Sequence, residues 1–244
     1  MIKKIRQTNL DKQYLSLNKY TATPISIDFA KIIVDKPWGH EYLMYNTPEV
    51  ELWNLFIRHQ RSTSTHCHPN KKTSLVVIKG RAIFSTLNES WELQPYDSMI
   101  IDNGVFHSTE AISKDGARVL EFETPPMKHD LIRLQDKYGR ANTNYENEKR
   151  MRVETEYARF FGNESEILND LHNNKMYIRK INSKKDIDNL PNPDTTLAVL
   201  LGGAIRSHAG EHLYSTTNVL TVEELQDLDC LFDNLSALII EGRK

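Results

Sequence analysis

The sequence predicts an all-β-dominated fold, a barrel or sandwich with a few added helices, on two observations. Short runs rich in β-branched and aromatic residues follow one another from Ile32 onward, each closed off by turn-forming residues. Many short strands at close spacing are the pattern of a sandwich or barrel. A second group of such runs returns near Leu197 and echoes the first.

The elements follow in chain order. Residues 1–31 mix Lys, Asn, Gln and Thr with scattered Leu and Tyr, which reads as an irregular N-terminal arm with one short helix and no motif. Strand-like runs at 51–57, 74–78, 82–85, 98–101 and 118–122 then mark a barrel over 32–140. Gly80, Pro95 and Asp102-Asn103-Gly104 supply the breaks, as expected of antiparallel hairpins. Past Pro125-Pro126 the segment 145–161 is rich in Glu, Lys, Arg and Met without Gly or Pro and predicts a helix. Asn163 with Glu166 resembles a capping box ahead of Ile167, Leu168 and Leu171, predicting a second, so that 141–181 reads as a helical connector. The polar stretch 182–195, with Pro191 and Pro193, reads as a linker opening a C-terminal β-rich unit over 182–244.

The echo lays residues 75–85 over 197–207, aligning Gly80 with Gly202, with about half the positions identical. Ser98 to Ile101 corresponds loosely to 218–221, and Val119 to Glu121 to 238–241. The expectation is a degenerate second partial unit. Where the first copy runs to His107, the second has Thr221-Val222-Glu223-Glu224, a helix start without a histidine, so a second metal site is not expected.

The 244 residues, 39% of them hydrophobic, suffice for one sizeable domain or two small ones. A net charge of -2 with acids and bases interspersed favours neither nucleic acid nor an anionic membrane surface, leaving a small molecule as the expected partner. No stretch approaches the roughly 20 apolar residues of a spanning helix, and no secretion signal stands at the N-terminus, so a cytoplasmic location is expected. Cys67 and Cys230 cannot form a disulfide framework, which agrees with a reducing compartment.

Strand side chains alternate faces, so His66 and His68 point one way and Cys67 the other. Two imidazoles on one face can chelate one ion, and His107, just beyond the Asp102-Asn103-Gly104 turn, can deliver the third nitrogen from a neighbouring strand. Three histidines with open positions suit one divalent ion: Zn, Fe, Mn or Ni.

Thr65-His66-Cys67-His68 with Gly80, and Asp102-Asn103-Gly104-Val105-Phe106-His107, resemble the two motifs of the cupin superfamily. That resemblance implies a cupin β-barrel, the double-stranded β-helix or jelly roll, and it places Thr73 where the family carries a metal-binding glutamate. Lys36-Pro37-Trp38-Gly39-His40-Glu41 looks like the entry motif of cupin mannose-6-phosphate isomerases. The stretch from Glu121-Phe122-Glu123 through Asp130-Leu131-Ile132-Arg133 to Asp136-Lys137-Tyr138-Gly139-Arg140 is similar to that family's exit motif. The similarity covers roughly residues 36–140.

The resemblance implies a metal-dependent enzyme of sugar or sugar-phosphate metabolism, isomerase-like. Such a reaction needs a polarised carbonyl and a base that carries a proton between C1 and C2. Glu121, Glu123 and Lys72 are the candidate acid–base residues. Arg133 and Arg140 are candidates to grip a phosphate, with Tyr138 beside them as a further substrate contact. Two other functions fit the residues: a three-histidine non-heme iron dioxygenase, because cupins of that class dispense with the glutamate, and a non-catalytic carbohydrate-binding or regulatory cupin. Cupins commonly pair, so a homodimer is expected. His208 and His212, flanking Ala209-Gly210, read as a turn and not as ligands.

Overall fold

The computed structural model describes residues 1–18, 27–140, 145–146, 148–154, 167–191 and 196–242. The chain forms two compact units, Lys3–Phe160 and Phe161–Lys244. The first contains β1 (Ile2–Ile5), α1 (Asn9–Leu17), β2 (Ile32–Lys36), β3 (Gly39–Asn46), β4 (Glu51–Ile57), β5 (Thr65–Cys67), β6 (Lys72–Lys79), β7 (Ala82–Thr86), β8 (Ser90–Leu93), β9 (Ser98–Ile101), β10 (His107–Ala111), β11 (Ala117–Thr124), β12 (Ile132–Gln135) and β13 (Met151–Val153).

These strands make two sheets, ordered β1-β9-β6-β11-β4-β3-β2-β13 and β12-β5-β10-β7-β8. From β4 to β12 the chain passes back and forth between them, with β4, β6, β9 and β11 in one sheet and β5, β7, β8, β10 and β12 in the other. That alternation makes a double-stranded β-helix. All five expected strand runs lie on strands, β4 and β9 at the expected bounds. The barrel core gathers Leu43, Trp53, Leu75, Val77, Phe84, Met99 and Val119.

The arm is more ordered than its composition suggests. Ile2–Ile5 is an edge strand, and α1 begins on a reciprocal cap in which the Asp11 carboxylate accepts from the Thr8 amide while the Asp11 amide donates to Thr8 Oγ1. The other Asp11 oxygen accepts from the Phe106 amide at 2.9 Å, tying α1 to the residue before His107.

The second unit contains β14 (Ile167–Leu171), β15 (Asn174–Ile181), α2 (Lys184–Asp188), β16 (Thr196–Arg206), β17 (His212–Ser215), β18 (Val219–Thr221), α3 (Val222–Asp227) and β19 (Leu231–Gly242). Its sheet runs β14-β15-β19-β16-β17, with β18 also paired to β16. The expected helices of the connector are corrected here. Glu148–Arg150 is one 3₁₀ turn leading into β13, which pairs with β2, and residues 155–161 lie outside the described ones. Ile167–Leu171 is a strand paired with β15, and Asn163 and Glu166 also lie outside the described residues. For β13, pairing with the distant β2 outweighs the local propensity of Glu, Lys and Met for helix, and β14 folds back on β15 as a hairpin. The expected linker holds α2, whose start is fixed by Asp186 accepting from Asn182 and Ser183.

The two units share a strand-pairing pattern, one residue out of step with the sequence echo. β6 pairs with β9 and β11, and β16 pairs with β18 and β19. Arg118 opposes Lys79 and Val119 opposes Val77, skipping Ile78; Ser236 opposes Gly202 and Ala237 opposes Leu200, skipping Leu201. The same bulge therefore matches Gly80 to Gly203, with φ of +77° and +76°, and not to Gly202. Tyr96 and Thr217 likewise share a positive φ, each ahead of a side chain, Asp97 or Asn218, that accepts from the amide three residues back.

Candidate metal centre and its cavity

β5 and β10 lie side by side with His107 directly opposite His66, and His68 follows β5 at once. Alternation sends Cys67 to the far face, where it packs with Phe106 and Ile132 against Tyr14 and Leu15 of α1. The three imidazoles converge, with ring centroids 4.6 Å apart for His66 and His107, 4.9 Å for His66 and His68, and 5.6 Å for His68 and His107.

Each Nδ1 faces a backbone carbonyl: Ser64 at 2.7 Å for His66, Asp130 at 2.6 Å for His68, and Val105 at 2.9 Å for His107. A carbonyl oxygen only accepts, so each Nδ1 carries the proton and each Nε2 presents a lone pair. Burial holds all three rings neutral, pushing His66 and His68 well below the usual value and His107 to about 4. The Nε2 atoms of His68 and His107 are buried without a hydrogen-bond partner. Nitrogens of the three rings lie within 4.8 Å of one another. Neutral, oriented and otherwise unsatisfied donors fit one divalent ion.

Asp130 builds the loop that carries these ligands. Its carboxylate accepts from the amides of Asn70 and Lys71 and from the Asn70 side chain, while its carbonyl fixes His68. The Gly104 amide donates to the His68 carbonyl at 2.8 Å, joining the loop to the turn before His107.

β11 lies between β4 and β6 and points Glu121 and Glu123 toward His68, their carboxylate oxygens and the His68 ring within 4.8 Å of each other. Lys71 approaches Glu123 at 2.7 Å. Lys128 lies 3.2 Å from Glu41, 3.6 Å from Glu123 and 4.0 Å from Glu121, and sits 3.7 Å above the Trp53 ring. Burial opposes its charge, but Glu123, Glu41 and Glu121 hold its pKa above the ordinary lysine value. Burial and the Glu123 charge raise Glu121; Glu123, despite its burial, is held down by Lys128 and Lys71. Such opposite environments separate an acid from a carboxylate within one pair.

A cavity of about 60 Å³ joins these groups, lined by His66, His68, Glu121, Glu123 and the basic side chains of Lys36, Lys71, Lys128, Arg133 and Arg140. Tyr145 also lines it, its hydroxyl donating to Glu41, and Glu146 receives Lys36, Arg133 and Arg140.

The structure thus brings His66, His68, His107, Glu121, Glu123, Arg133 and Arg140 to one centre. Two of the sequence candidates lie elsewhere. Lys72 is exposed, because on β6 it alternates with buried Thr73, and its neighbour Lys71 occupies the place expected of it. Tyr138 does not line the cavity; its hydroxyl accepts from the Ser62 amide at 3.3 Å. Lys71, Lys128, Glu41 and Tyr145 are not singled out by the sequence as parts of a site, although Glu41 stands in the entry motif.

Burial alone would raise the Glu41 carboxyl, but Lys128, Lys36 and the Tyr145 hydroxyl bring it down to about 2 from the usual 4.5. A group depressed in the folded state contributes stability above its unfolded pKa, and that contribution is lost as pH falls through the folded value. Glu41→Gln is therefore expected to cost on the order of 3 kcal/mol at pH 7. Urea unfolding of both proteins from pH 7 down to 2 should show the difference closing below about pH 4.5; parallel curves would contradict the ion-pair assignment.

No helix among the described residues is long and apolar enough to cross a membrane. No protein family and no curated protein matches the sequence. Among solved structures the chain is similar to KdgF from Halomonas sp., at 18% identity over 38% of this chain and 86% of that one, with a TM-score of 0.36. It is also similar to an uncharacterized conserved protein with a double-stranded β-helix domain from Klebsiella pneumoniae, at 15% identity over 40% and 84%, TM-score 0.36. A putative sugar phosphate isomerase from Acidithiobacillus ferrooxidans matches at 14% identity over 39% and 65%, TM-score 0.35.

Proposed function

We propose that this chain is a metal-dependent cupin acting on a sugar or sugar phosphate in carbohydrate metabolism, as an isomerase of the mannose-6-phosphate isomerase kind. The observation that carries the reading is one cavity in which the carboxylates of Glu121 and Glu123 lie beside His68 of a three-histidine cluster. Five basic side chains line that cavity against three acidic ones, Glu41, Glu121 and Glu123, which favours an anionic substrate.

A bound divalent ion would supply Lewis-acid polarisation of the substrate carbonyl. His66, His68 and His107 would hold it. Glu121 takes the proton from C2 of the aldose form and returns it to C1, while the O2 hydroxyl proton passes to O1, giving the ketose with no net change in atoms. Arg133 and Arg140 hold the phosphate, exchanging their contacts to Glu146 for it. The cavity, at about 60 Å³, is smaller than ligand sites of roughly 300–1,000 Å³, so a sugar phosphate needs its lining side chains to shift.

One observation favours a second reading. Thr73 leaves the histidine motif without its own carboxylate, as in three-histidine iron dioxygenases. Metal analysis with two assays separates them. Zinc or manganese at one per chain with conversion of mannose 6-phosphate to fructose 6-phosphate is expected, and His68→Ala should abolish both. Iron with oxygen consumption and no isomerisation would establish the dioxygenase instead. Metal binding without either turnover would leave a carbohydrate-binding protein.

A further inference from the structure

Thr73 and Glu123 are direct partners across the β6–β11 pair, so their side chains leave the same face of the sheet. Both are 1% exposed. One oxygen of Glu123 is anchored by Lys71 at 2.7 Å; the other is buried without a hydrogen-bond partner among the described residues, as is the Thr73 hydroxyl. The buried Nε2 of His68 is also without a partner. His68 belongs to both ligand-like groups, one with His66 and His107 and one with Glu121 and Glu123.

We propose that Glu123 supplies the carboxylate ligand of the metal centre from the strand beside Thr73, leaving Glu121 free to move protons. This rests on the three-histidine reading above and completes its ligand set. Three neutral imidazoles bring no negative charge, and the buried ammoniums of Lys71 and Lys128 stand close by. A carboxylate beside the three rings would offset the charge of a dication there. Glu123 is the better placed of the two acids, because Lys71 fixes one of its oxygens and leaves the other unsatisfied among the described residues, in the group it forms with His68. Lys128 at 4.0 Å is the nearest ion-pair partner of Glu121 among the described residues. A carboxylate at position 73 as well would set two like charges directly opposite each other.

Cobalt(II) titration of the chelator-stripped full chain, read by visible d–d absorption, tests the assignment. The wild type should bind one ion per chain. Glu123→Gln should weaken binding by at least about tenfold and change the band shape. Glu121→Gln should bind with unchanged bands. The exchange variant Thr73→Glu/Glu123→Thr, which keeps one carboxylate on this face near Lys71, should recover the wild-type spectrum. Circular dichroism establishes that each variant is folded. Wild-type spectra from Glu123→Gln, or loss confined to Glu121→Gln, would overturn the proposal while leaving the histidine site standing. A folded exchange variant that fails to bind would also overturn it. If His68→Ala binds cobalt as the wild type does, or the wild type binds none, the three-histidine reading itself falls and the proposal falls with it.

Discussion

Lys128→Met is expected to lower the unfolding free energy of the barrel unit by about 3–5 kcal/mol at neutral pH. The Lys128 side chain is 8% exposed and its ammonium stands among Glu41, Glu121 and Glu123. Removing one partner of a buried ion cluster leaves the desolvation cost of the others without its compensation, and Lys36 and Lys71 cannot offset three carboxylates by themselves. Methionine fills similar volume, so the cost reads the charge more than a void. Lys72→Met is the matched control: it removes the same charge from an exposed position and should change stability by no more than about 0.5 kcal/mol. Urea unfolding at pH 7 measures both. A loss below about 1 kcal/mol for Lys128→Met would show the cluster to be well hydrated, and the buried ion cluster described above would then be wrong.

That contrast between Lys71, Lys72 and Lys128 shows where sequence reading stops. The strands were legible because alternation and turn residues are local signals: β4 and β9 match their expected bounds, and the Asp102-Asn103-Gly104 turn lies where it was placed. His66 and His68 were legible for the same reason, since a two-residue spacing in a strand fixes a common face. The ammoniums were not, because nothing local separates a buried lysine from a solvated one. Lys128 owes its position to Glu41, Glu121 and Trp53, which come from β3, β11 and β4. Residues 148–153 failed in the other direction. Their Glu, Lys, Arg and Met speak for a helix locally, yet the edge of β2 offers a ladder with Met151 opposite Val34, which no helical pattern reports.

Gly80→Ala and Gly203→Ala are each expected to destabilise their own unit by at least about 2–4 kcal/mol. A Cβ on Gly80, at φ +77°, would stand 2.3 Å from the Gly116 carbonyl oxygen; on Gly203, at φ +76°, it would stand 2.3 Å and 2.4 Å from those of Asp233 and Asn234. Both positions therefore combine a left-handed backbone with a collision against backbone atoms that cannot swing aside. The facing residues, Gly116 and Asn234, carry positive φ themselves, so the two strand corners are the same device made twice. Gly202, which the sequence echo aligned with Gly80, lies in β16 without a positive φ, and Gly202→Ala should cost less than Gly203→Ala. Amide hydrogen exchange locates each effect: faster exchange in β6 and β11 for Gly80→Ala, and in β16 and β19 for Gly203→Ala. Equal tolerance of Gly203→Ala and intolerance of Gly202→Ala would restore the unshifted alignment. The shifted one has a chemical consequence, because it sets Glu121 and Glu123 against Ile239 and Glu241, by the pairings of Leu75 with Glu121 and of Ala198 with Ile239. The second unit thus keeps one of the two acids, Glu241, which meets Lys175 and Tyr177.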